Sequence, residues 1–302
     1  MDRGFLYMAQ SALAFAAMGA FAKGAGLRLP VAELVLARGL VSLVLSLVAL
    51  RRAGVDPVGH RPARLFGRGV IGALGLAALF FALARLPLAE ATVIQYLHPV
   101  FTAVLAALLL RERTGTGLVL SIALGAAGVL AVARPAALFG GAAASLDPLG
   151  LAAAIAGAFL SACAYVTVRH LSATEHPVVI VSYFAWVAVL GSLPFALRDF
   201  VWPRGLEWVL LAGVGVAAQA GQVAMTHGLR LLPAARATAL SYLQVVFAAV
   251  LGAVFFGERP GAWTVVGALA ILSGTLLALR EGRREAQAAG NVPADAKRSA
   301  RA

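Results

Sequence analysis

Residues 91–113 read ATVIQYLHPVFTAVLAALLLRER, and residues 237–259 read ATALSYLQVVFAAVLGAVFFGER. Thr92/Thr238, Tyr96/Tyr242, Phe101/Phe247, Glu112/Glu258 and Arg113/Arg259 recur at a constant offset of 146. Pro87/Pro233 and Gly128/Gly274 extend that register on either side without a gap. Two Ala/Leu/Val-rich helices often agree by chance, but chance does not align Pro, Tyr, Phe, Glu and Arg in one register. The chain thus reads as one unit written twice. Each quoted stretch is apolar enough to cross a bilayer yet holds polar groups near its middle. These are Gln95, Tyr96 and His98 beside Pro99 in the first copy, and Ser241, Tyr242 and Gln244 in the second.

The rest of the sequence explains where such stretches live. With 61% hydrophobic residues, 13% charged residues and a mean hydropathy of +0.90, the chain has too few charges to cover a water-soluble body of 302 residues. The net charge of +12 does not read as a nucleic-acid surface, because the arginines sit in short clusters between apolar runs. Ten runs approach the ~20 residues that a hydrocarbon core of about 30 Å demands: 5–22, 31–50, 69–86, 89–110, 117–134, 148–168, 178–197, 207–229, 235–256 and 262–279. The expected fold is an all-α polytopic membrane protein with ten transmembrane helices. A lone cysteine, Cys163, in an apolar run excludes a disulfide framework and a Cys-based metal cluster.

Five spans per copy is an odd number, so the second copy enters the membrane upside down. That is an inverted-topology repeat, with a first unit over 1–140, a second over 146–280 and the substrate near the midplane where they meet. The positive-inside rule, applied loop by loop, puts both termini in the cytoplasm, with the 51–68 loop inside and the 135–147 loop outside. Arg51, Arg52, Arg61, Arg64 and Arg68 carry much of that bias. The first span could pass for a cleaved signal peptide. The sixth span, however, holds the matching place in the second copy, and Lys23 and Arg169 follow the two spans 146 apart. Residues 281–302, charged and Ala-rich without periodicity, read as a disordered cytoplasmic tail. Abundant Arg, Ala and Gly suggest a GC-rich bacterial genome, hence a bacterial inner membrane.

Two five-helix repeats, a Pro-x-x-x-Ala-Thr stretch leading into the fourth and ninth spans, and a terminal Glu-Arg resemble the drug/metabolite transporter superfamily, specifically its EamA-type family. The resemblance covers about residues 5–280. It implies a ten-helix basket around a central cavity that moves metabolites by alternating access. Helices 1, 3, 4, 6, 8 and 9 would line the cavity, and helices 2 and 7 would act in gating. It implies a small-molecule substrate such as an amino acid or nucleotide-like compound, in a monomer or homodimer.

Polar groups facing lipid cost several kcal/mol each, so these residues must face protein or a wet cavity. Gln95 and His98 are three apart and share a helix face. Pro99 lacks an N–H and frees the carbonyl near position 95. Symmetry-related polar faces favour a cavity over simple helix glue. Gln219 and Gln222 also share a face, in the eighth span. Tyr165 with Ser161 in the sixth span, and Trp186 with Tyr183 in the seventh, are weaker candidates. Arg38 lies about 12 Å into the second span at ~1.5 Å per residue and needs a partner. It reads as a counter-charge for an anionic group or as a structural arginine tied to carbonyls, with Glu33 poorly stacked for an ion pair. The Glu112-Arg113 and Glu258-Arg259 pairs end their helices and read as structural.

No Asp or Glu falls in the middle of a span. The small multidrug members of the resembled superfamily bind cations through a carboxylate in their first helix. Here that helix offers Gln10 and Ser11, which leans towards neutral, zwitterionic or anionic substrates. His98 is then the one candidate proton carrier near mid-span. No catalytic set or metal-ligand spacing is present, so neither an enzyme nor a cofactor is expected. The competing transport class is a carrier of amphiphilic or lipid-linked cargo, which would need a laterally open, apolar cavity. The expected partners are the substrate and the bilayer, not nucleic acid.

Overall fold

The structure, a computed structural model, describes residues 3–83, 85, 86, 91, 94–112, 115–133, 147–257 and 261–290. All regular structure among them is helical. The order is α1 (Arg3–Ala25), α2 (Val31–Ala53), α3 (Pro62–Leu83), α4 (His98–Leu109), α5 (Thr116–Ala133), α6 (Pro148–Leu171), α7 (Pro177–Arg198), α8 (Leu206–Leu231), α9 (Ala234–Leu240), α10 (Leu243–Phe256) and α11 (Ala262–Gly290). Eight segments are long and apolar enough to cross a membrane; α9 and α10 together form one of them, and α4 and α5 are shorter apolar helices.

Local chemistry sets many of the ends. Asp147 caps α6 by accepting from the Gly150 N–H at 3.1 Å, with Pro148 at the first helical position. Gly54 and Gly257 close α2 and α10 in the left-handed conformation, at φ 62° and 64°. The α1–α2 loop is fastened by Arg28, whose Nε donates to Glu207 Oε1 at 2.8 Å and whose Nη2 donates to the Trp202 carbonyl at 2.9 Å.

Three observations differ from what the sequence suggested. The ninth span is not one helix: α9 stops at Leu240, Ser241 and Tyr242 form a turn, and α10 restarts at Leu243. Ser241 Oγ donates to the Thr238 carbonyl at 2.6 Å, offering the backbone a local alternative to the helical ladder. α3 begins at Pro62, so Arg64 and Arg68 are helical rather than part of a 51–68 loop. α11 runs to Gly290, into the segment read as a tail, because Arg, Glu, Gln and Ala extend an existing helix at little cost. The Pro87–Glu90 and Thr92 part of the recurring motif, Arg113, Glu258-Arg259 and residues 135–146 lie outside the described residues.

The helices pair α1 with α8, α3 with α6, α2 with α7 and α5 with α11, while α4 packs on α6 and α9. Small residues let the backbones meet. Ser11 Oγ on α1 donates to the Gly221 carbonyl on α8 at 2.9 Å. A Cβ on Gly157 of α6 would stand 3.3 Å from the Gly75 carbonyl of α3. A Cβ on Gly128 of α5 would stand 2.6 Å from the Gly267 carbonyl of α11, and one on Gly274 2.8 Å from the Ser121 carbonyl.

Candidate functional site

The fourth span is interrupted too: Ile94 and Gln95 are helical, Tyr96 and Leu97 form a turn, and α4 starts at His98, so the side chains at this break and at the α9–α10 break form one cluster. At the first break, Pro99 has no N–H for the Gln95 carbonyl, four residues back. His98 takes that role: its Nδ1 lies 3.0 Å from Gln95 O. A donor is needed there, so the hydrogen of the neutral imidazole sits on Nδ1 and Nε2 is left as an acceptor. Nε2 points across to the second break, 3.3 Å from Ser241 Oγ. Ser241 has one hydrogen and two acceptors in reach, His98 Nε2 and the Thr238 carbonyl.

Aromatic rings enclose this pair. His98, 6% exposed, stacks on Tyr165 of α6 with centroids 5.2 Å apart and planes 12° apart. Tyr96 lies 5.9 Å from both His98 and Tyr242, stacked on the latter. Tyr242 Oη donates to the Tyr96 carbonyl at 3.1 Å. Gln95 Nε2 donates to Ser161 Oγ at 3.1 Å, and its Oε1 is buried without a hydrogen-bond partner among the described residues. Gln95, Tyr96, His98, Tyr165, Ser241 and Tyr242 are therefore one polar-aromatic cluster drawn from both copies.

The other candidates fall elsewhere. Gln219 and Gln222 on α8 are buried; Gln219 Nε2 donates to Ser46 Oγ of α2 at 2.9 Å, and both Oε1 atoms lack a partner among the described residues. That is helix-to-helix bonding with spare acceptors. Gln244 is half-buried in the first turn of α10. Trp186 is 47% exposed and shares its stripe of α7 with exposed Leu190, Leu193 and Leu197, a face suited to acyl chains rather than to a polar ligand. Arg38 is half-buried with its guanidinium carbon 5.4 Å from the Phe184 ring centroid. Glu33 does not pair with it: its Oε2 accepts from the Val201 N–H at 3.2 Å.

Sequence reading missed Arg68. It is 3% exposed on α3, with its guanidinium carbon 4.8 Å from the same Phe184 ring. The usable signal was Pro62, a preferred first residue of a helix, which would have set Arg68 inside it.

Glu112 is structural, as the sequence suggested. Its Oε2 accepts from the Ala234 N–H at 2.8 Å, and its Oε1 accepts from Arg169 Nε at 3.2 Å. Arg169 Nη1 donates to the Leu229 and Arg230 carbonyls at 3.0 and 2.9 Å. One ion pair thus ties the ends of α4, α6 and α8 to the start of α9. On another loop, the Arg85 guanidinium holds the Asp147 carboxyl below the usual carboxylate range through a 3.1 Å hydrogen bond. Between α4 and α5 runs an apolar cleft of about 370 Å³, lined by Val100, Ala103, Val104, Ala107, Leu108, Val119 and Ile122. Among the described residues no group of His, Cys, Asp or Glu could hold a metal ion.

Known proteins resemble this chain in sequence and in fold. The pattern of the EamA-like transporter family matches twice, over residues 2–134 and 148–280. The pseudopaline exporter CntI of Pseudomonas aeruginosa is 33% identical over 90% of this chain and 94% of its own. Solute carrier family 35 member G1 of Homo sapiens is 28% identical over 76% of this chain and 66% of its own. A crystal structure with 22% identity superposes with a TM-score of 0.77, covering 91% of this chain and 98% of the other, which speaks for the fold alone. With the family pattern covering most of its length, the chain is a multi-pass membrane protein that belongs to the EamA-like transporter family, and so a transporter rather than an enzyme.

Proposed function

We propose that this protein is a secondary transporter that exports a small polar metabolite, such as an amino acid or nucleotide-like compound, across a bacterial inner membrane by alternating access. The observation that carries the reading is the His98–Ser241 and Tyr96–Tyr242 contact between the two interrupted helices. Discontinuous helices meeting in the interior are where transporters of this build hold substrate. The exporter among the relatives supports outward movement.

Ten spans as two inverted repeats, with both termini cytoplasmic, complete the proposal. The support for the two repeats is the pairing of helices, and that for the termini is the distribution of arginines among the loops. Exchanging the copies turns the α1–α8 pair into α3–α6, and α2–α7 and α5–α11 into themselves. The contact of Ser11 with Gly221 becomes that of Gly157 with Gly75 at an offset of 146. The family pattern also matches once per copy.

His98 is proposed as both ligand and proton carrier. With Nδ1 donating to Gln95 O, an incoming proton lands on Nε2 and is accepted by Ser241 Oγ, whose own hydrogen stays on the Thr238 carbonyl. On release, the Ser241 hydroxyl turns to Nε2. The charge on one copy thereby reaches the helix break of the other.

The test is flux from proteoliposomes loaded in turn with amino acids, nucleotides and organic acids, with and without a pH gradient. Protein-dependent efflux of one class supports the reading; no flux of any class with correctly inserted protein refutes it. The rival carrier of amphiphilic or lipid-linked cargo has one observation in its favour, the apolar cleft between α4 and α5. Leaflet exchange of a fluorescent amphiphile in the same vesicles would favour it.

A further inference from the structure

Arg68 and Arg38 lie over one ring, Phe184, with guanidinium carbons 4.8 and 5.4 Å from its centroid. Phe184 and Arg68 are 7% and 3% exposed. Among the described residues neither arginine has an ion pair, and Arg68 Nε and Nη1 are buried without a hydrogen-bond partner. Two buried carboxylates each bond elsewhere through one oxygen, Glu33 to the Val201 N–H and Glu175 to the His60 N–H at 3.0 Å, and neither forms an ion pair with these arginines.

Two like charges over one ring are an expensive arrangement. Burying an ion is costly even after relaxation, and a like-charged neighbour adds to that cost. A cation over a ring face recovers only part of that cost. Folding alone gives no reason to keep Arg68: a buried charge without a partner is usually better replaced by an apolar side chain of similar volume. An arrangement that is costly when empty becomes favourable when an anion arrives between two guanidinium forks, because carboxylate and phosphate oxygens match their bidentate geometry. The position suits delivery to the transport site. α3, which carries Arg68, packs along α6, whose Tyr165 stacks on His98, so a ligand held by Arg68 would lie beside the cluster between the helix breaks.

We infer that Arg68 and Arg38 form a two-guanidinium site for the oxyanion end of the transported molecule, and that the substrate class is a dianion, a dicarboxylate or a phosphate monoester. This rests on the transporter reading and narrows its substrate. Gly72 belongs to the same construction: a Cβ there would come 3.0 Å from the Phe184 ring and 3.3 Å from Arg68 Nη1, so glycine keeps ring and guanidinium together.

The test is thermal unfolding of the purified full-length protein in detergent, which needs no transport and so separates this inference from the transporter reading. The probes are succinate and glutarate, glycerol phosphate, butyrate as a monoanion and choline as a cation. A dianion that binds only the folded state raises Tm with concentration. The expected result is such a rise with at least one dianion, little with butyrate and none with choline. The dicarboxylate and phosphate arms decide between the two oxyanions. Arg68→Met is expected to raise Tm without ligand, because it removes an unpaired buried charge, and to abolish the anion-dependent rise; Arg38→Gln weakens that rise at least tenfold in concentration. A lower Tm or failed folding of Arg68→Met shows a structural arginine and overturns the inference. So does an anion response that survives Arg68→Met, or no response to any dianion in the wild type. If flux is found for an uncharged metabolite while these anions do nothing, the transporter reading stands and this one falls.

Discussion

At the scale of single residues, His98 does two jobs that pull its two nitrogens apart. Nδ1 repairs the defect that Pro99 makes in its own helix, and Nε2 faces the other copy. Replacing it with Gln copies what the second repeat has at the matching place, Gln244. Glutamine still offers an amide N–H and an acceptor but does not titrate. We therefore expect His98→Gln to retain substrate binding while transport loses its response to an imposed pH gradient. Uptake driven by pH at the wild-type rate in that variant would leave His98 as helix glue. The sequence exposed His98, Gln95, Tyr96, Ser241 and Tyr242, because polar residues in an apolar run stand out against a bilayer. It could not expose Arg68, which looks like any basic residue flanking a span until the helix start at Pro62 is known. Nor could it separate Trp186 from the site, since an indole on a helix reads the same whether it faces lipid or cavity.

At the scale of helices, the repeat register was legible because Pro, Tyr, Phe, Glu and Arg are rare enough in such segments to be informative. The break between α9 and α10 was not. The first copy announces its break with Pro99, whereas in the second a serine hydroxyl competes for a backbone carbonyl, and serine alone carries no such message. The contact of α5 with α11 is governed by absence of side chains. Gly128 and Gly267 each present the carbonyl that a Cβ on the other would strike, at 2.6 and 2.5 Å. Carbonyl oxygens on helices cannot swing aside as a side chain can, so the helices must separate. Gly267→Val is expected to lower stability by about 1–3 kcal/mol, read as a drop in the thermal midpoint of the detergent-solubilised protein. An unchanged midpoint would mean that the two helices part without cost.

At the scale of the whole molecule, orientation is the property that helix packing leaves open, because a bundle turned over keeps every contact. The arginine distribution argues for cytoplasmic termini, with His60 on the same side. In a Cys163→Ala background, His60→Cys is expected to resist a membrane-impermeant thiol reagent applied to intact cells and to react after the cells are opened. Labelling before opening would invert the proposed topology.

The hydrogen bond from Tyr242 to the Tyr96 carbonyl joins residues 146 apart, the same position in each copy. In the proposed inverted repeat, two equivalent residues that touch would straddle the axis relating the copies, yet a single hydrogen bond cannot obey that axis. Its donor is on one half and its acceptor on the other. If the copies trade conformations when the carrier turns from one side of the membrane to the other, the bond must reverse, with Tyr96 Oη donating to the Tyr242 carbonyl. The tyrosine pair then works as a compass needle inside the protein, its direction recording which compartment the transport site faces.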